Sequence, residues 1–157
     1  DGRGAWLRLL LFMRPPTPGF PPLSRHEARP SVQAVEDAVL AVEHGVDGVV
    51  LSNHGGRQRD GAPAPFDLVA EVAGAVGGRT EVICDGGIRR GSDIVKAVAA
   101  GATATMGGRL FLYALAAAGE AGVDHVLGLL RSGTARTMAP VGAASVGALG
   151  PDLLART

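Results

Sequence analysis

From Ser31 onward the chain alternates between two hydrophobic periods. Val32, Val35, Val39 and Val42 recur at helical spacing, with Ser31 placed to cap the start and Gly45 to stop it. Val46–Leu51 then reads as a short, nearly continuous apolar strand, the pattern of a strand buried on both faces. A polar, glycine-rich loop over residues 52–64 leads to a helix opened by Pro65, with Leu68, Val69, Val72 and Val76 on one stripe and Gly77 at its end. The unit repeats. Thr80–Cys84 is a strand, Ser92 caps a helix carrying Ile94, Val95 and Val98, and Gly101 ends it. Ala102–Met106 is a third strand, followed by helical patterns over residues 110–118 and 121–136.

Strands alternating with helices predict right-handed βαβ units and a parallel sheet, an α/β fold. A closed barrel of such units needs eight strands and roughly 250 residues. Three predicted strands therefore correspond to the C-terminal half of a TIM (β/α)₈ barrel.

Residues 1–30 break the pattern. The first 31 residues hold six of the ten prolines and five arginines, and they read as an irregular, non-homologous leader ahead of a half-barrel over 31–157. A misassigned gene start accounts for such an abrupt change. The apolar run Trp6–Met13 is interrupted by Arg8 and falls far short of the roughly 20 residues that span a bilayer. It also matches a secretory leader poorly. No integral membrane segment is expected.

Composition narrows the partners. Fifteen basic residues offset fifteen acidic ones, and aromatics make up 4%, so neither phosphate tracking nor base stacking is favoured and no nucleic acid is expected. The single cysteine, Cys84, forms no internal disulfide and no CxxC or Cys/His cluster offers a metal site. A reducing, cytoplasmic compartment is the expectation.

Three polar clusters follow the three strands: residues 52–57 (Ser-Asn-His-Gly-Gly-Arg), 85–89 (Asp-Gly-Gly-Ile-Arg) and 107–109 (Gly-Gly-Arg). Barrel enzymes build their active sites from loops at that end. Glycines let backbone amides approach an anion, helix N-termini favour negative charge, and Arg89 and Arg109 add forked donors, so the second and third clusters predict a phosphate site. The alternative is that these glycines only make tight turns. His54 and Arg57 offer a proton acceptor near neutral pH and a fork for a carboxylate. A lone loop histidine is more often a hydrogen-bonded turn residue, and His26, His44 and His125 are assigned to that class. His54 differs in sharing a face with the phosphate clusters.

Taken together, these stretches resemble the FMN-dependent α-hydroxy-acid dehydrogenase family, which includes glycolate oxidase and flavin L-lactate dehydrogenases. Residues 52–58 are similar to its active-site signature and residues 85–93 to its flavin phosphate loop. IMP dehydrogenase and type 2 isopentenyl-diphosphate isomerase carry similar Gly-Gly-Ile-Arg turns, so the His54 stretch is the discriminating one. The resemblance implies FMN as cofactor and a small L-2-hydroxy acid, lactate-like, as substrate. It implies His54 as the catalytic base and Arg57 as the carboxylate anchor. Ser52, Asp85, Gly86, Gly87, Ile88, Arg89, Gly108 and Arg109 would hold the flavin. It is also compatible with a homo-oligomer.

The sequence departs from the family in two places. Residues 22–30 contain no lysine where the family has one, and their prolines argue against a buried strand; Arg59 stands where leucine is expected. Two alternatives to hydroxy-acid oxidation stay open: a non-catalytic half-barrel that binds flavin or phosphate, and a relative acting in maturation of a peptide-derived redox cofactor, mycofactocin. An IMP dehydrogenase-like enzyme ranks last, because Cys84 sits inside a strand.

Overall fold

The computed structural model describes residues 28–155. Four parallel strands form one sheet in the order β1-β2-β3-β4. They are β1 (Ala28–Val32), β2 (Gly48–Ser52), β3 (Glu81–Asp85) and β4 (Ala104–Met106), separated by α1 (Val35–Glu43), α2 (Pro65–Val76) and α3 (Gly91–Ala99). The long helix α4 (Arg109–Met138) follows β4, and single 3₁₀ turns at Val146–Ala148 and Pro151–Leu153 close the described chain.

Alternation of side chains explains why every middle residue of β2 and β3 is apolar. Val49, Leu51, Val82 and Cys84 face the helices, where they pack with Val69, Val72 and Val76 of α2 and Ile94 and Ala97 of α3. Val50, Ile83 and Ala104 face the opposite side and form a second cluster with Met106. That second face is the inner wall of a barrel, which is why these strands carry no polar alternation. Burying each Val, Leu or Ile contributes roughly 1.5–3 kcal/mol.

Several predicted elements hold and three change. Helix α2 runs from Pro65 to Val76 as read, and Gly77 caps it at φ 59°, a left-handed conformation that stops the helix without a Cβ penalty. The two helical patterns after β4 are one assigned helix broken at Ala118 (φ −151°) and Gly119 (φ 58°). The first change is an added strand. Ala28–Val32 pairs with β2 although it contains Pro30, and it lies across the division drawn between residues 30 and 31. Proline is tolerated because β1 is an edge strand here and its pairing slips between Arg29 and Val32. Ser31 therefore lies within a strand instead of capping a helix, and α1 starts at Val35 with Ala34 before it.

The second change is at α3, where the helix begins one residue before Ser92. The carboxylate of Asp93 takes the role assigned to Ser92, accepting the amides of Arg89 and Arg90, each at 2.9 Å. The third is the start of α1 at Val35, and the added strand brings the sheet to four strands instead of three. His44 behaves as expected of a helix C-terminal residue: its Nδ1 donates to the Leu40 carbonyl at 2.8 Å. The run Trp6–Met13, the segment 22–27 and His26 lie outside the described residues.

Helix α4 packs along α3 through unusually small residues. A Cβ added at Gly91 would overlap the backbone of Gly133 and Thr134, so the two helices touch main chain to main chain. Length and composition alone would let α4 cross a membrane, but the break at Ala118 and Gly119 divides it into two shorter helices.

Candidate active site

The C-terminal ends of β2, β3 and β4 lie side by side, so the loops that follow them share one rim. Ser52, the last residue of β2, is paired in register with Asp85, the last of β3. Its hydroxyl donates to Asp85 Oδ2 at 2.7 Å and accepts the His54 amide at 3.1 Å. A buried serine thus ties the start of the first loop to the start of the second.

Beyond Ser52 the backbone makes a tight left-handed turn. His54, Gly55 and Gly56 all have positive φ, at 55°, 68° and 75°. His54 is the one non-glycine residue of that kind among the described residues. The reversal brings Arg57 back toward β3. Gly55 serves a second purpose, because a Cβ there would sit 3.3 Å from Nη2 of Arg109. The Arg109 guanidinium, arriving from the third loop, lies against the bare backbone of the first.

These arrangements enclose a cavity of about 230 Å³ lined by His54, Arg57, the Asp85–Arg89 loop, Gly108 and Arg109. Nine of the ten residues singled out in the sequence therefore meet in one cavity. The tenth, Ser52, stands behind the wall, its hydroxyl engaged with Asp85. Ile88 lines the cavity yet is 8% exposed and packs in the main core, so it anchors the loop while its backbone faces the site.

Larger clefts of about 410 and 450 Å³ lie to either side. Volume alone would not select the site; the convergence of cations and glycines does. Lys96 lines the 450 Å³ cleft with Asn53, Pro65 and Phe66, and Arg109 borders both that cleft and the smaller cavity.

The electrostatics favour an anion between Arg89 and Arg109. Helix α4 begins at Arg109 and adds its positive N-terminal end. The amides of Arg89 and Arg90, which precede α3, are taken by the Asp93 carboxylate. Cys84 is unsuited to chemistry: burial, reinforced by the neighbouring Asp85 charge, pushes its thiol up to about 11. No group of three or more His, Cys, Asp or Glu among the described residues could hold a metal ion.

Met106, the last residue of β4, lines the cavity although no polar cluster contains it, and Asn53 of the first cluster, given no role from the sequence, binds the loop together through its side chain. An asparagine two residues before a Gly-Gly pair is a recognisable turn device and could have been flagged.

Four parallel β/α units with an arginine-lined cavity at the C-terminal ends of their strands define part of a (β/α)₈ barrel. The match is specific: residues 31–156 fit the model of the FMN-dependent dehydrogenases, and the chain belongs to that family. It is 51% identical over 127 residues to the pre-mycofactocin synthase of Mycobacterium tuberculosis, covering 80% of this chain and 32% of the relative. It is 52% identical over 107 residues to the L-lactate oxidase of Nostoc sp., covering 68% and 29%. With (S)-mandelate dehydrogenase of Pseudomonas putida it shares 50% over 121 residues, covering 77% and 30%. Among solved structures, a mandelate oxidase in complex with benzoyl-formic acid superposes with a TM-score of 0.76 at 48% identity, over 78% of this chain and 36% of that one. The chain thus spans about a third of the length of the curated relatives it matches.

Proposed function

We propose that this chain forms the cofactor-phosphate and substrate-base portion of an FMN-dependent enzyme oxidising a small, lactate-like L-2-hydroxy acid to the 2-oxo acid. One observation carries the reading: His54, Arg57, Arg89 and Arg109, from three separate loops, line a single cavity at the C-terminal ends of the strands.

The residues present fit FMN. Gly86 and Gly87 have φ of 130° and 75°, a backbone cradle that side-chain-bearing residues rarely adopt, and Arg89 and Arg109 flank it. Arg89, Arg109 and the α4 N-terminus would hold the phosphate, with Gly108 beside it. Asp85, Gly86, Gly87 and Ile88 would border the ribityl chain, and Ser52 would support Asp85. When bound, FMN supplies the two-electron acceptor for oxidation of the substrate.

The chain's own groups do the remaining work. The His54 imidazole takes a proton from the 2-hydroxy acid as a general base. Arg57 holds the substrate carboxylate through its planar fork, fixing which end of the molecule faces His54.

The 51% identity to pre-mycofactocin synthase supports a second reading, a mycofactocin precursor as substrate. A lone reduced thiol suits the cytoplasm. Exposed Leu112, Tyr113 and Leu115 on α4 are apolar area that a homo-oligomer would bury. The division into a leader over 1–30 and a barrel half over 31–157 is kept as a proposal in which β1 carries the barrel half back to Ala28, tested by resequencing the gene start.

The experiment is a flavin spectrum of the purified protein. In the intact enzyme a bound flavin bleached by an L-2-hydroxy acid is expected, whereas this portion alone should show weak or no turnover. His54→Ala should abolish bleaching with flavin retained, and Arg57→Lys should raise KM about 10- to 100-fold by removing the fork. Loss of flavin from His54→Ala would overturn the assignment of base. Bleaching by a mycofactocin precursor alone would favour the second reading.

A further inference from the structure

We propose that Asn53 is the positioning residue that holds His54 in its left-handed conformation and so aims the imidazole into the cavity. This rests on the reading of His54 as the base. The backbone of His54 sits at φ 55°, a region that residues with a Cβ seldom occupy unless neighbours enforce it. Asn53 supplies the enforcement from both of its carbonyl oxygens. Its side-chain Oδ1 accepts the Gly55 amide at 3.0 Å, and its backbone oxygen accepts the Gly56 amide at 2.9 Å. The two amides that follow His54 are therefore both gripped by the residue that precedes it.

Asn53 is itself held from two sides. Its Nδ2 donates to the Pro63 carbonyl at 3.3 Å, at the far end of the same loop just before α2. Its Oδ1 lies 3.6 Å from where a Cβ on Gly86 would stand, so the phosphate loop passes close over it. One amide group thus needs both halves of its chemistry, an acceptor toward Gly55 and a donor toward Pro63. It joins the base loop, the entry to α2 and the phosphate loop without adding charge near Arg57 and Arg109. Asparagine meets those requirements; alanine meets none and aspartate keeps the acceptor alone.

The test compares Asn53→Ala and Asn53→Asp with the wild type, in the intact enzyme, by two independent readouts. The first is the intraresidue HN–Hα Overhauser effect of His54 in NMR spectra, which is strong only at positive φ. The second is kcat for an L-2-hydroxy acid with flavin content measured on the same samples. In Asn53→Ala the His54 cross-peak should fall to that of ordinary residues and kcat should drop about 10- to 100-fold, the size expected of a misplaced base, with flavin content unchanged. Asn53→Asp, which keeps the acceptor for the Gly55 amide but loses the donor to Pro63, should recover the cross-peak and part of the rate.

Retention of both the cross-peak and the rate in Asn53→Ala would overturn the proposal. So would equal losses in both variants that track their melting temperatures. If even the intact wild-type enzyme oxidises no 2-hydroxy acid, the functional reading fails, and the cross-peak comparison still decides whether Asn53 holds the turn.

Discussion

Ser52 and Asp85 stand opposite each other on the last rung shared by β2 and β3, and the serine hydroxyl donates to the aspartate Oδ2 across 2.7 Å. The same oxygen accepts the His54 amide, so a single hydroxyl ties the candidate base to the phosphate loop. Removing it in Ser52→Ala deprives two polar groups of that partner at a buried position. A loss of about 1–3 kcal/mol in unfolding free energy is expected from urea titration. Unchanged stability would mean that the bond contributes nothing net.

The contact of Arg109 with Gly55 gives a second prediction, with a built-in control. Gly55→Ala and Gly56→Ala each place a Cβ at positive φ, a strain of roughly 1–2 kcal/mol. Only the first also meets Arg109; Gly56 has nothing within 4 Å. Both variants should lose similar stability, while Gly55→Ala alone should bind FMN about tenfold more weakly in a fluorescence titration. Equal affinities would separate Arg109 from the cofactor.

Docking of α4 on α3 depends on two glycines of unequal tightness. At Gly91 an added Cβ would overlap the Gly133 and Thr134 backbone, whereas at Gly133 it would meet Gly91 no closer than 3.2 Å. Gly91→Ala should cost about 3 kcal/mol or more, and Gly133→Ala about 1 kcal/mol, measured by thermal denaturation. The reverse order would mean that the two helices approach differently.

Burial raises the Cys84 thiol from its ordinary 9.0 to about 11 in the folded chain. A folded value above the unfolded one favours the native state while the thiol stays protonated. That contribution is complete below the unfolded value and is lost as pH rises from 9.0 through about 11. Between those limits the wild type should lose more stability than Cys84→Ala, with all other titrating groups shared by both. Equal slopes would show that the thiol is not desolvated.

Much of this protein was legible along the chain because the devices involved act over a few residues. Valine spacing set α2, Gly77 ended it, and apolar runs marked β2, β3 and β4 to within about two residues, as local periodicity and turn chemistry allow. The three polar clusters were also readable, since each follows its own strand.

What only the tertiary structure decided are relations between segments distant in sequence. Pairing with β2 makes Ala28–Val32 a strand despite Pro30, because an edge position leaves a missing N–H tolerable. Asp93 overrides Ser92 at the start of α3 because its carboxylate reaches two amides at once. Ser52 meets Asp85, and Arg109 meets Gly55, because strand register places residues 33 and 54 positions apart on one rim. Hydrophobic spacing specifies which face of an element is buried; it carries no information about which loop ends arrive beside one another.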